Sequence, residues 1–263
     1  KEYLMEDFFY AGGLRALMVE LGDKLDLNVK TVTGQTLKEC IKGSKNYNSD
    51  VIRTLKNPVY HEGSLAVLKG NLAPDGAVIK PAAMDPKFQK HNGPAIVADS
   101  YAELKEIIND EDYPITADHI LVLRNAGPKG GPGMPEWGMI PMPKALLKQG
   151  HRDMIRLSDA RMSGTSYGAC ILHVAPEAFI GGPLALIRTG DIIQVDIPNR
   201  KLDVDISKSE MKKLQEDWVA PKPRYERGYG YIYSKHIEQA DKGCDFDFLS
   251  TDFGAAVEEP EIN

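Results

Sequence analysis

Apolar and polar positions follow a helical period over residues 1–58. Leu14, Leu17, Met18 and Leu21 recur at the spacing of one helix face. Gln35 to Ile41 reads as a second, shorter helix, and Asn46, Asn48 and Ser49 as a polar loop. From Val59 to Ser207 the pattern changes to short apolar runs alternating with helical stretches. Strands are predicted at Leu65–Leu68, Ala77–Lys80, Ala95–Ala98, Ile120–Leu123, Met154–Leu157, Ile192–Ile197 and Leu202–Val204. Pro198-Asn-Arg200 reads as a hairpin turn joining the last two. Tyr101–Ile108 and Pro143–Lys148 read as helices. An amphipathic helix then runs from Lys208 to Trp218, followed by an aromatic arm rich in Gly and Pro. The predicted organisation is a helical segment 1–58, a mixed α/β domain 59–207, and a helix with an arm, 208–263. Strands and helices at this density fit a doubly wound sheet or a barrel, and periodicity does not separate the two.

Two loops carry candidate chemistry. The first follows the apolar run Met154–Leu157 and reads Ser158-Asp-Ala-Arg-Met-Ser-Gly-Thr-Ser166. Tyr167 to Val174 after it has helical character. A strand, a hydroxyl-rich turn and a helix start would present a reactive oxygen where free N–H groups favour negative charge. The plainer alternative is a tight turn whose serines and threonine cap the helix. The second loop follows Ile120–Leu123. It holds four glycines and three prolines between Gly127 and Pro135, with Lys129 and Glu136 as its charges. Glycine allows close backbone approach to a ligand, and proline stiffens the remainder. The spacing does not match a nucleotide phosphate loop. Glu136 fits a ligand for a hard cation such as Mg²⁺, though one carboxylate supplies too few oxygens. It equally fits the first turn of a helix opened by Pro135.

Together the two loops resemble one family. Gly127-Pro-Lys-Gly-Gly-Pro-Gly-Met-Pro-Glu136 and Ser158 to Ser166, with His173-Val-Ala-Pro-Glu-Ala178 and Gly190-Asp-Ile-Ile193, look like the C-terminal part of the dihydroxy-acid and sugar-acid dehydratases (the IlvD/Edd family). The resemblance runs from about Met5 to Leu249. Pro135-Glu-Trp-Gly138, Ala160, and the extension from Tyr225 through Leu249 are closer to the sugar-acid (aldonate) branch than to dihydroxy-acid dehydratase of branched-chain amino-acid synthesis. The resemblance implies a swivelling β/β/α domain, barrel-like and flanked by helices. It implies a hydro-lyase that turns a sugar acid into a 2-keto-3-deoxy acid with Mg²⁺ and an iron–sulfur cluster, 2Fe-2S or 4Fe-4S. Ser163 would be the base, Thr165 would bind substrate beside it, and Glu136 would be one Mg²⁺ ligand. The family's cluster cysteines, carbamylated lysine and other Mg²⁺ ligands belong to an N-terminal half. That half is an expected partner, and the chain alone is expected to be inactive. Cys40, Cys170 and Cys244 lack cluster spacing.

The remaining candidates stay open at this stage. Arg161 pairs with Asp159 or meets a substrate carboxylate. Lys129 touches a substrate oxygen or is a solvated loop lysine. His173 lies on an apolar face of the expected helix and reads as a core histidine. No two histidines sit four apart, so helical zinc spacing is absent.

Composition narrows the class. The chain has 263 residues, is 42% hydrophobic, and carries a net charge of −6. That balance argues against nucleic-acid and membrane surfaces. Three scattered cysteines fit a reducing compartment, so a cytoplasmic location is expected. The aromatic arm is expected to meet another subunit or the other half, making a homo-oligomer, dimer or tetramer. Two other classes remain: a non-catalytic docking or lid module, and a phosphate-ester binder built on the glycine loop.

Overall fold

The computed structural model describes residues 2–164 and 167–249. Two compact units are present, Lys1–Gly63 and Ser64–Asn263. The first contains helices α1 (Met5–Tyr10), α2 (Gly13–Leu21) and α3 (Leu37–Ile41). Its small core is Ala11, Ala16 and Ile52, packed by Phe8, Leu17 and Val51. The α1–α2 turn places Gly12 at φ 113°, where a Cβ would stand 2.6 Å from that of Ala16. Leu14 is exposed, so the buried face of α2 centres on Ala16.

The second unit is built on one eight-stranded sheet, ordered β1-β2-β6-β5-β4-β3-β7-β8. The strands are β1 (Ala66–Leu68), β2 (Gly76–Ile79), β3 (Lys90–Ala98), β4 (Ile120–Leu123), β5 (Arg156–Ser158), β6 (Cys170–Ala175), β7 (Ile192–Asp196) and β8 (Lys201–Val204). Strands β3, β4, β5 and β6 run parallel, and antiparallel pairs flank them on both sides. Ile120–Leu123 is buried throughout, as expected for a parallel strand covered on both faces. Helices α4 (Tyr101–Asn109), α5 (Lys144–Lys148), α6 (Lys208–Asp217) and α7 (Gly228–His236) complete the unit. The β7–β8 hairpin turns at Ile197–Arg200, with Arg200 in the left-handed region.

The sheet curls until its outer strands meet. Lys69 bridges Lys201, and Asn71 continues the seam. The Asn71 amide donates to the Val204 carbonyl at 2.8 Å, and its Oδ1 accepts the Val204 N–H at 2.7 Å. The sheet is therefore nearly closed and barrel-like, as the resemblance implied. Closure removes the exposed edges that an open sheet leaves.

The stretch Tyr167–Val174 departs from expectation. It is not helical: Cys170–Ala175 is the strand β6, buried along its length except at His173. A short, fully buried parallel strand has no polar alternation, so its apolar run resembles a helix segment. The arm also differs. It contains α7, whose glycines at 228 and 230 disguise it.

Replacing Asn71 with Ala removes both seam bonds and leaves the Val204 N–H without that acceptor. An Asn71→Ala variant should lose about 1–3 kcal/mol of stability. Urea unfolding should show a lower midpoint with an unchanged slope, whereas a wild-type midpoint would show that the seam does not hold the barrel shut.

Candidate functional site

The loops that leave β4, β5 and β6 lie together at the carboxyl ends of parallel strands, where α/β sheets place their crevices. Two buried carboxylates organise them. Asp159, directly after β5, is fully buried. It accepts the Ala126 N–H at 3.0 Å and the Ala178 N–H at 2.9 Å. Glu177, after β6, is also fully buried. It accepts from the backbone N–H of Lys129 and Gly130, both at 2.9 Å, and from the Gln239 amide at 2.7 Å. Burial, and then the charge of Glu177, push the Asp159 carboxyl up to about 7. Burial likewise raises Glu177, while its N–H donors oppose the rise.

This arrangement explains the glycines. A Cβ on Gly127 would sit 2.7 Å from the Glu177 Oε2, and one on Gly130 would meet the Asn125 backbone at 2.7 Å. The close approach that glycine permits is to the protein's own carboxylate. The N–H groups of Lys129 and Gly130, which a phosphate would otherwise draw on, are already taken by Glu177, which weighs against the phosphate-ester reading.

The hydroxyl turn is the second element. Its far end is fixed by a buried ion pair, Arg156 to Asp153 at 3.1 Å. Arg156 also donates to the Tyr167 carbonyl at 3.2 Å, and Asp153 accepts the Ala169 N–H at 2.9 Å. A Cβ on Gly168 would collide with the Arg156 guanidinium, so this glycine is required. Ser163 is half-buried and lines a cleft of about 210 Å³ with Lys80, Met162, Leu172 and His173. Thr165, the other hydroxyl candidate, lies outside the described residues.

Arg161 stitches the two loops. Its Nε donates to the Met134 carbonyl at 2.5 Å, and its guanidinium pairs with Glu136 at 3.2 Å. The Gly138 N–H returns a bond to the Arg161 carbonyl at 2.8 Å. Arg161 therefore does not pair with Asp159, which faces inward to backbone donors instead. Glu136 sits in an irregular loop and caps no helix. Lys129 directs its ammonium to the Lys235 carbonyl, 3.4 Å away.

His173, expected as a core histidine on a helix, and Lys80, expected only as a strand end, both line the cleft. His173 sits on β6 at φ 55°, in an irregular stretch of the β2–β6 pairing. Bulges re-aim side chains in this way. Burial, and then the charge of Arg161, hold the His173 imidazole below its ordinary value. No pattern in the sequence marks such a bulge. The apolar stretch before Lys80 pointed only to a strand end.

A family profile described as "Dihydroxy-acid/6-phosphogluconate dehydratase C-terminal" matches residues 50–244. The chain belongs to this family. It is 49% identical to a 6-deoxy-6-sulfo-D-gluconate dehydratase of Pseudomonas putida, over 99% of the chain and 45% of that protein. It is 44% identical to an L-arabinonate dehydratase of Rhizobium leguminosarum bv. trifolii, over 97% of the chain and 45% of that protein. A dihydroxy-acid dehydratase of Acetivibrio thermocellus is 45% identical, over 91% of the chain and 43% of its own length. The chain thus spans less than half the length of these curated relatives.

The family is generally metal- and cluster-dependent, and the donor set here tests that. Among the described residues no three His, Cys, Asp or Glu side chains converge on a point that would hold a metal. Glu136 offers one carboxylate, already paired with Arg161, whereas Mg²⁺ demands six oxygens in octahedral array. Cys170 is buried, and burial pushes its thiol up to about 11, the reverse of a cluster ligand. These residues alone build neither a Mg²⁺ site nor a cluster site.

The raised Asp159 has a consequence for stability. Its folded-state value lies above the unfolded one, so the native state binds more protons between roughly pH 4 and 7. The contribution is full below the unfolded value and is lost as pH rises through about 7. Glu177→Gln removes the charge that helps raise Asp159. Urea midpoints of this family member should fall from pH 4.5 to 7.5 more steeply in wild type than in Glu177→Gln. Parallel curves would contradict the coupling.

Proposed function

We propose that this chain is the C-terminal part of a hydro-lyase that dehydrates a sugar acid (an aldonate) to a 2-keto-3-deoxy acid. The observation that carries the reading is the Ser163 turn, a hydroxyl set in a largely apolar cleft at the carboxyl end of a parallel strand. Dehydrating a 2,3-dihydroxy acid removes the C2 proton and expels the C3 hydroxyl as water. The enol so formed tautomerises to the 2-ketone. The proton at C2 needs a general base within reach. Ser163 is the base in this reading, with Thr165 binding substrate beside it. Arg161 and Lys129 bind substrate oxygens, Arg161 through a guanidinium suited to a carboxylate. Each would exchange a present partner, Glu136 or the Lys235 carbonyl, for substrate.

Mg²⁺ and an iron–sulfur cluster belong to the same reading, with Glu136 lending one carboxylate to a site completed by the other half of the enzyme. A homo-oligomer, dimer or tetramer, is part of the proposal. Tyr229 is 92% exposed on the arm, and Tyr225, Phe248 and Leu249 are exposed as well, which supports a partner there. Part of the arm covers its own domain, since Ile237 is buried and Gln239 bonds Glu177. No helix among the described residues is long and apolar enough to cross a membrane. A cytoplasmic location rests on the free cysteines.

Two relatives named for sugar-acid substrates support the aldonate over a branched dihydroxy acid. The dihydroxy-acid dehydratase relative supports the second reading at similar identity. Kinetics on the complete enzyme separate them. Aldonates should be turned over in preference to branched 2,3-dihydroxy acids, and Ser163→Ala should lower kcat about 10²–10⁴-fold. Preference for the branched acids would establish the second reading. Near-normal turnover by Ser163→Ala would remove Ser163 as base, and a wild type inert toward both classes would leave a docking or lid module.

A further inference from the structure

We propose that Lys80 is a positioning residue for the Ser163 turn, and that its ammonium supplies positive charge beside the base. The inference rests on Ser163 being that base. Lys80 follows β2 directly and opens the one-turn helix Pro81–Ala83. Its Nζ donates to the Gly164 carbonyl at 2.7 Å, across 84 residues of chain. Three residues on, the Ala83 carbonyl accepts the Gly168 N–H at 2.8 Å. One short segment after β2 thus holds both ends of the 164–168 stretch.

The opposite side of the turn is fixed independently. Asp153 and Arg156 hold Ala169 and Tyr167 through bonds to backbone, the first buried and the second part-buried. Lys80 is a side-chain hold at the end that carries Ser163. A lysine is suited to this place because its compact ammonium sits on a flexible stem and reaches a carbonyl without a planar fork.

The surroundings give the charge its weight. Of the described residues lining the cleft, Lys80 is the one with a formal charge at neutral pH when His173 is neutral. Leu65, Val78, Met162 and Leu172 make much of the wall. A cation acts more strongly on a neighbour as the local dielectric falls. A hydroxyl that gives up its proton becomes an anion, and a nearby positive charge favours that form. The carbonyl Lys80 grips belongs to Gly164, the residue after Ser163, so position and charge act one residue from the base.

The test compares wild type, Lys80→Met, Lys80→Arg and Ser163→Ala in the complete enzyme. Lys80→Met should lower kcat about 10²-fold with KM changed only a few-fold, the cost typical of a misplaced reacting group. The ascending limb of its pH profile, along which activity rises as the base loses its proton, should move to higher pH, and Lys80→Arg should recover part of kcat. Hydrogen exchange at the Gly168 amide, bonded to the Ala83 carbonyl, should quicken in Lys80→Met while exchange in β4 stays slow. A folded Lys80→Met with wild-type kcat, pH profile and exchange would overturn the inference while an inactive Ser163→Ala left the base assignment standing. Slow turnover with an unshifted pH profile and no gain from Lys80→Arg would also overturn it. An active Ser163→Ala would overturn both.

Discussion

The candidate site depends on two carboxylates taken out of water. Burying an ionised carboxylate costs several kcal/mol unless hydrogen bonds replace its hydration. Asp159 and Glu177 find those bonds in backbone N–H groups of the loops after β4 and β6. Each loop is bound by a side chain from another, so none is set in place alone. The fold uses an anion-binding loop inwardly, with the anion covalently part of the chain. The arm joins this arrangement through Gln239, which donates to Glu177 and accepts its N–H.

A second layer of ion pairs sits above that foundation and differs from it in exposure. Arg156 and Asp153 are buried, and breaking one partner would strand the other in a medium that penalises lone charge. Arg161 and Glu136 are part-exposed, so their attraction is screened and contributes little to stability. The contrast sorts their roles. The buried pair shapes the hydroxyl turn, while the exposed pair can part when a better partner for either charge arrives.

Much of this was legible in the sequence where local rules act alone. Ile120–Leu123 is a strand end to end, and Tyr101 and Lys208 open helices capped by Ser100 and Ser207. Ser163 and Glu136 lie on loops that Arg161 brings together, a contact no spacing suggested. Illegible were the features set by long-range packing. Asp159 facing Ala126 and Ala178 requires three strand ends to converge, which no spacing reveals. The irregular pairing at His173 depends on β2, nearly a hundred residues earlier in the chain. Lys80 likewise gains its place only when β2 is laid beside β6. Glycines at 127, 130 and 168 suggested close approach, but what they approach is Glu177, Asn125 and Arg156.

The exchange of an expected helix for strand β6 changes the electrostatic argument at the turn. A helix start would have brought free N–H groups and half a positive charge to the hydroxyls. A sheet has only a small net dipole, so β6 brings neither. Among the described residues of this chain, side chains then supply the positive charge near Ser163. Asp159 and Glu177 lie behind the loops with their N–H donors committed to them. The positive groups on the open side are Lys80, bonded to Gly164, and Arg161, close enough to depress His173. Lys80 and Arg161 come from different loops, one after β2 and one after β5. The charge balance at the turn is therefore a product of the barrel's strand order, and it exists only when β2, β6 and β5 lie side by side.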